Sequence, residues 1–238
     1  MKTTIKTTTL LLTAILLVAS CNLIGESGSG NVIRQERHLS SFNAIDVSGA
    51  FDVYLSQGTT QSVIVEADDN LMKLIKTEVN GNTLEISNKE PIGHSKSLKI
   101  YLTVTDLNKI ELSGAVNIQT QTKLKVDELS IEVSGATDSK MDFDVRKLKV
   151  ECSGGSKLHF SGTASETSFD VSGAVDLFAF DMITEKMQLG ISGAGKAEVN
   201  VTKEFNADIS GAASVRYKGN PEKISQDVSG AGSIKKAI

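Results

Sequence analysis

The chain has 238 residues, a formal charge of −4, 5% aromatic side chains, no Trp and 2 Cys. That length buries a sizeable core as one domain or two small ones, and the mildly acidic balance excludes a nucleic-acid partner, which needs a basic stripe. Two cysteines cannot build a disulfide scaffold, and so few rigid amphipathic rings count against a sugar binder.

Residues 1–20 read as a secretory signal. Lys2 and Lys6 form its positive start, and Leu10 to Val18 form an apolar run too short to span a bilayer. The run ends in Val18-Ala19-Ser20-Cys21, which resembles the lipobox of bacterial lipoproteins. The resemblance implies cleavage before Cys21 and lipidation of its thiol. Anchoring that lasts needs more than one acyl chain, and a lipidated Cys21 would supply several, giving a membrane partner without a spanning helix. Residues 21–31 are expected to be a flexible tether. Asn22 offers no inner-membrane retention signal, so an outer-membrane lipoprotein is expected, with either face open to it.

Ser-Gly-Ala or a close variant begins at Ser48, Ser113, Ser134, Ser153, Ser172, Ser192, Ser210 and Ser229. After Ser113 the intervals are 21, 19, 19, 20, 18 and 19 residues, a structural repeat. Six of the eight Ser follow an apolar–acidic–apolar triplet such as Ile131-Glu132-Val133 or Phe169-Asp170-Val171, Gly190 and Gln226 breaking the pattern before Ser192 and Ser229. That period of two predicts a strand with one face buried and one in water. Past the tripeptide a second alternation begins at Val53, Ile118, Leu158, Leu177, Ala197, Val215 and Ile234. Less regular third strands are readable in Met141–Val145 and Glu198–Val201. Three short strands in ~19 residues predict one turn of a right-handed parallel β-helix. Antiparallel hairpins of a sandwich are the alternative. The expected division is an N-terminal β-helical portion with insertions over 32–112 and regular repeats over 113–238.

The irregular stretch between Ser48 and Ser113 keeps alternation in Val63-Ile64-Val65, Leu84-Glu85-Ile86 and Leu98–Leu102. Asn80-Gly81 suits a tight turn. Asp68, Asp69 or Asn70 is expected to cap a short helix through Leu71–Ile75. At the far end Lys235 and Lys236 charge the last strand against edge-to-edge aggregation.

The segments Phe42–Val53, Val63–Leu71 and Gly81–Ile86, with the later Ser-Gly-Ala coils, resemble a bacterial family described as putative auto-transporter adhesin, head GIN domain. The resemblance runs from about Phe42 to the C-terminus. It implies a right-handed β-helix on a cell-envelope lipoprotein, and it carries no catalytic residues over.

Candidate chemistry is sparse. His38, His94 and His159 stand in unrelated contexts, and no Cys/His cluster has metal-site spacing. Cys152 shares a column with Val133 and Val171, so it should point inward as a small hydrophobe. In stacked coils Glu111, Glu132, Glu151 and Asp170 would form an acidic ladder, with Asp208 and Asp227 continuing past Gly190, and Lys109 and Lys149 beside it. Such a stripe suits Ca²⁺ or a basic partner surface, or it serves only as a solvated face. The expected function is a non-enzymatic envelope scaffold for a protein or polysaccharide ligand. A carbohydrate-active enzyme on the same scaffold and a structural or stress-related envelope component without external ligand are the alternatives.

Overall fold

The computed structural model describes residues 25–237. The signal segment and Cys21 lie outside the described residues. The strands are β1 (Val32–Glu36), β2 (Ala44–Gly49), β3 (Asp52–Gln57), β4 (Ser62–Asp68), β5 (Ile75–Asn80), β6 (Thr83–Asn88), β7 (Leu98–Val104), β8 (Lys109–Gly114), β9 (Asn117–Thr120), β10 (Leu124–Gly135), β11 (Asp138–Lys218), β12 (Lys223–Gly230) and β13 (Ser233–Lys236). The described fold is all-β, and the strands join one 13-stranded sheet. Among the described residues no helix is long and apolar enough to cross a membrane.

The repeat sets parallel register. Glu132 of β10 stands opposite Glu111 of β8 on one side and Glu151 of β11 on the other, with Ser134 opposite Ser113 and Ser153. At the far end Asp208 faces Asp227 and Ser210 faces Ser229. Inward columns therefore fill a single core. Ile45, Ile110, Ile131, Val150, Phe169, Leu189 and Ala207 are all buried, as are Val47, Leu112, Val133, Cys152, Val171, Ile191 and Ile209. Burial pushes the Cys152 thiol above its ordinary pKa, which suits an inert packing role. The columns end at β12, where Ile224 and Val228 are 47% and 41% exposed and Gln226 replaces the apolar residue.

The N-terminal part is not a plain continuation of parallel rungs. There β1 pairs with β4, β4 with β7 and β5 with β6, all antiparallel, so the sheet is mixed. Connection length explains one of these pairs. Asn80 and Thr83 face each other across Gly81-Asn82, and a link that short permits only an antiparallel hairpin. The expected turn at Asn80-Gly81 thus forms one residue later. Its second strand, β6, then lies parallel to β2, placing Glu85 beside Asp46.

No helix forms over Leu71–Ile75. Two successive turns close instead, from Leu71 N to the Asp68 carbonyl and from Leu74 N to the Leu71 carbonyl, both 2.9 Å. Leu71, Met72, Leu74 and Ile75 are all buried, which leaves no solvated face for so short a helix. The buried Asp68 carboxylate accepts hydrogen bonds from Gly30 N at 2.6 Å and Lys96 N at 2.8 Å rather than capping a helix. Gly25–Asn31, the described part of the segment read as a tether, lies against the fold: Glu26 bridges Ile92, and Gly28 N donates to the His94 carbonyl at 2.7 Å.

One buried hydroxyl gives a simple test of the core. Thr184 is 0% exposed and its Oγ1 has no hydrogen-bond partner among the described residues. Thr184→Val keeps the volume and removes the orphaned polar atom, so a gain of about 1 kcal/mol in denaturant unfolding is expected. A loss of stability would mean the hydroxyl is satisfied in solution.

Candidate functional site

The repeat presents one outward residue per rung at each column, and the acidic column is the one that concentrates like charge. Glu111, Glu132, Glu151 and Asp170 line a surface groove of about 470 Å³, joined by Asp46. Register carries the column further than the repeat alone predicts. Asp46 pairs with Glu111 on one side and Glu85 on the other, and Glu85 faces Glu78 across the β5–β6 hairpin. The 65 residues between Ser48 and Ser113 hide this adjacency in the sequence. Gly190 interrupts the column, and Asp208 and Asp227 line a separate groove of about 330 Å³.

Three lysines thread the stripe. Lys109 Nζ lies 2.9 Å from Glu111 and 3.0 Å from Glu132, Lys149 lies 2.5 Å from Glu151, and Lys76 lies 3.0 Å from Glu78. Hydrogen bonds donated to their carboxylate partners raise the pKa of Lys109 and Lys149. Acids on neighbouring rungs still repel, by roughly 0.9 kcal/mol at ~4.8 Å in water-like dielectric. Asp46 shows the effect. Burial lifts its pKa, Glu111 and Glu85 add to the lift, and Lys109 opposes it.

A raised carboxyl pKa means the folded state favours the protonated form, so stability falls as pH rises through that titration. Asp46→Asn is therefore expected to raise the melting temperature at pH 7. The gain should vanish well below the ordinary aspartate value of about 3.9, where the carboxyl is neutral in both states. A lower melting temperature at pH 7 would show that a favourable partner holds the charge.

The calcium reading gains no geometry. Among the described residues no group of three or more His, Cys, Asp or Glu side chains is placed to hold a metal ion. The ladder supplies one carboxylate per rung, and lysines already engage Glu111, Glu132 and Glu151.

The arginines do not converge on one site. Arg34 pairs with Glu66 at 2.7 Å, Arg146 with Asp127 at 2.8 Å and with Glu128, and Arg216 with Glu198 at 3.2 Å. His159 stacks on Phe178 with ring centroids 4.6 Å apart.

A second outward column escaped the sequence reasoning. Tyr101 faces Tyr54, Tyr54 faces Gln119, and Gln119 faces Lys140. The signal was present, because Tyr54, His159 and Phe178 each stand six positions after Ser48, Ser153 and Ser172.

Three comparisons place the chain. Among curated proteins none matches it. A putative adhesin from Bacteroides fragilis NCTC 9343 is 27% identical, with a TM-score of 0.82 over 90% of this chain and 100% of that one. A putative lipid binding protein from Parabacteroides distasonis ATCC 8503 is 25% identical, with a TM-score of 0.68 over 90% and 99%. A putative adhesin from Parabacteroides merdae ATCC 43184, at 20% identity and a TM-score of 0.65 over 90% and 99%, shares the fold. These neighbours and the family are described by adhesion or lipid binding, not by an enzymatic activity. The family model described as putative auto-transporter adhesin, head GIN domain, matches residues 41–221, and the chain belongs to that family.

Proposed function

We propose that the protein is an adhesin-like, non-enzymatic binding scaffold of the cell envelope, anchored by lipid at Cys21. Its parallel rungs wind as a right-handed β-helix, regular over 113–238 and extended by insertions over 32–112. The observation that carries the reading is the in-register pairing of identical columns, Glu111 with Glu132 with Glu151. Such pairing turns single outward residues into long, nearly flat faces, and a rigid face suits recognition of an extended ligand better than catalysis at a convergent cleft. The membrane is the partner implied by Val18-Ala19-Ser20-Cys21. A protein or polysaccharide is the partner implied by the faces.

Labelling cells with radioactive palmitate tests the anchor. The native protein is expected to carry label and to sediment with outer membranes, and Cys21→Ser is expected to lose both. Protease added to intact cells then tests outward display: a shaved protein supports the adhesin-like role, and a fully protected one contradicts it.

A further inference from the structure

Six of the eight phenylalanines are buried: Phe42, Phe51, Phe143, Phe160, Phe169 and Phe205. Of the three tyrosines, Tyr217 packs against the core beside Phe205, with ring centroids 5.3 Å apart. All four remaining aromatics, Tyr54, Tyr101, Phe178 and Phe180, stand on the face that carries the second outward column. Their chain neighbours Val53, Leu55, Ile100, Leu102, Leu177 and Ala179 are buried, so these four rings point away from the core. A chain this poor in aromatics has placed every ring it spares from packing on one surface.

The rings form two stacked pairs. Tyr54 lies on Tyr101 at 4.9 Å with planes 16° apart, and His159 lies on Phe178 at 4.6 Å with planes 15° apart. Between the pairs, the rungs of Gln119 and Lys140 carry no ring, and this gap is a groove of about 330 Å³. Tyr54 walls one end. The floor presents Asp52, Asn117, Gln119, Asp138 and Lys140. Asn117 Nδ2 donates to Asp52 Oδ1 at 2.9 Å, which fixes the orientation of both groups. The first pair is also braced: Arg34 lies 4.8 Å from the Tyr101 centroid and pairs with Glu66, to which the Tyr101 hydroxyl donates at 3.3 Å.

We propose that this groove binds a short stretch of a pyranose glycan lying along the stack. The Tyr54 ring supplies a flat apolar surface of the kind a sugar C–H face requires, His159 stands one rung beyond Lys140, and the amides, carboxylates and ammonium of the floor match sugar hydroxyls as donors and acceptors. From the Tyr54 rung to the His159 rung is three rungs, or ~14 Å. Sugar units of an extended chain repeat at about the rung spacing, so the groove takes two or three of them. The inference rests on the binding-scaffold reading and names its ligand class and its face.

A printed array of neutral and acidic plant, mucin and microbial oligosaccharides, probed with the purified protein, tests it. Glycans of three or more units are expected to give signal. Tyr54→Ala and Asn117→Ala are each expected to cut that signal about fivefold or more, and Glu222→Gln, exposed in the link before β12, to leave it unchanged. Melting curves matched to the native protein exclude unfolding as the cause. No glycan above background, or signal that survives both groove substitutions, overturns the proposal. Cell-surface protease accessibility is independent of this result, so failure of outward display leaves the glycan test standing, and failure of the array leaves the anchor standing.

Discussion

Gly154→Ala is expected to abolish stable folding or to cost more than about 3 kcal/mol. Two independent causes act together. Gly154 has φ +124°, a region that L side chains avoid at a cost of order 1–3 kcal/mol. A β-carbon there would also stand 2.3 Å from the carbonyl oxygen of Gly135 on the neighbouring rung, inside any tolerable contact. That oxygen belongs to backbone, so relief requires two rungs to separate. The same approach recurs up the file, at 2.4 Å from Gly173 to the Gly154 oxygen and 2.2 Å from Gly193 to the Gly173 oxygen. Gly155→Ala is the control. It lacks a positive φ, has nothing within 4 Å of its built β-carbon, and should change stability by less than about 0.5 kcal/mol. Equilibrium urea unfolding of the two variants checks the contrast, and equal losses would contradict the stacked-corner account.

Phe169→Ala is expected to cost about 3–5 kcal/mol by the same measurement. Phe169 is 1% exposed and packs near Phe160, with centroids 6.1 Å apart, while Phe160 meets Phe143 edge-on at 5.2 Å. Residues above and below belong to other rungs held by backbone pairing, so the cavity cannot collapse easily. Phe178→Ala, nine residues away on the outward face, removes the same side chain where it is only half-buried. Its cost should stay within about 1 kcal/mol, mostly the lost stacking on His159. A comparable loss for both would mean the face is structural and would weaken the glycan proposal.

The regular half of the fold was legible because one physical device repeats there. A small-residue corner every 18 to 21 positions puts Ile131, Val150 and Phe169 inside and Glu132, Glu151 and Asp170 outside, and counting from each Ser recovers both columns. The N-terminal part resisted the same reasoning. No repeated corner marks the hairpin β5–β6, so nothing local showed that β6 would return beside β2 and bring Glu85 to Asp46. Asp68 misled for a related reason. Its residue type favours helix caps, yet its carboxylate is claimed by Gly30 N and Lys96 N, partners 38 and 28 positions away. Burial raises the pKa of that carboxyl, the backbone donors outweigh it, and the net direction is down. The aromatic groove was legible in phase but not in depth. Spacing from the corner shows that Tyr54 and His159 share a column, whereas the ring-free gap between them depends on which rungs become neighbours.

Parallel, in-register stacking is the claim on which the faces, the ladder and the groove all depend. Spin labels on cysteines replacing Glu111 and Asp208, 97 positions apart in the chain, measure it directly in a Cys152→Ala background. Five rungs separate the two sites, so pulsed electron resonance is expected to give one narrow distance distribution centred near ~24 Å, broadened only by the label arms. A broad distribution, or a peak beyond ~40 Å, would show that the rungs do not lie over one another and would remove the account.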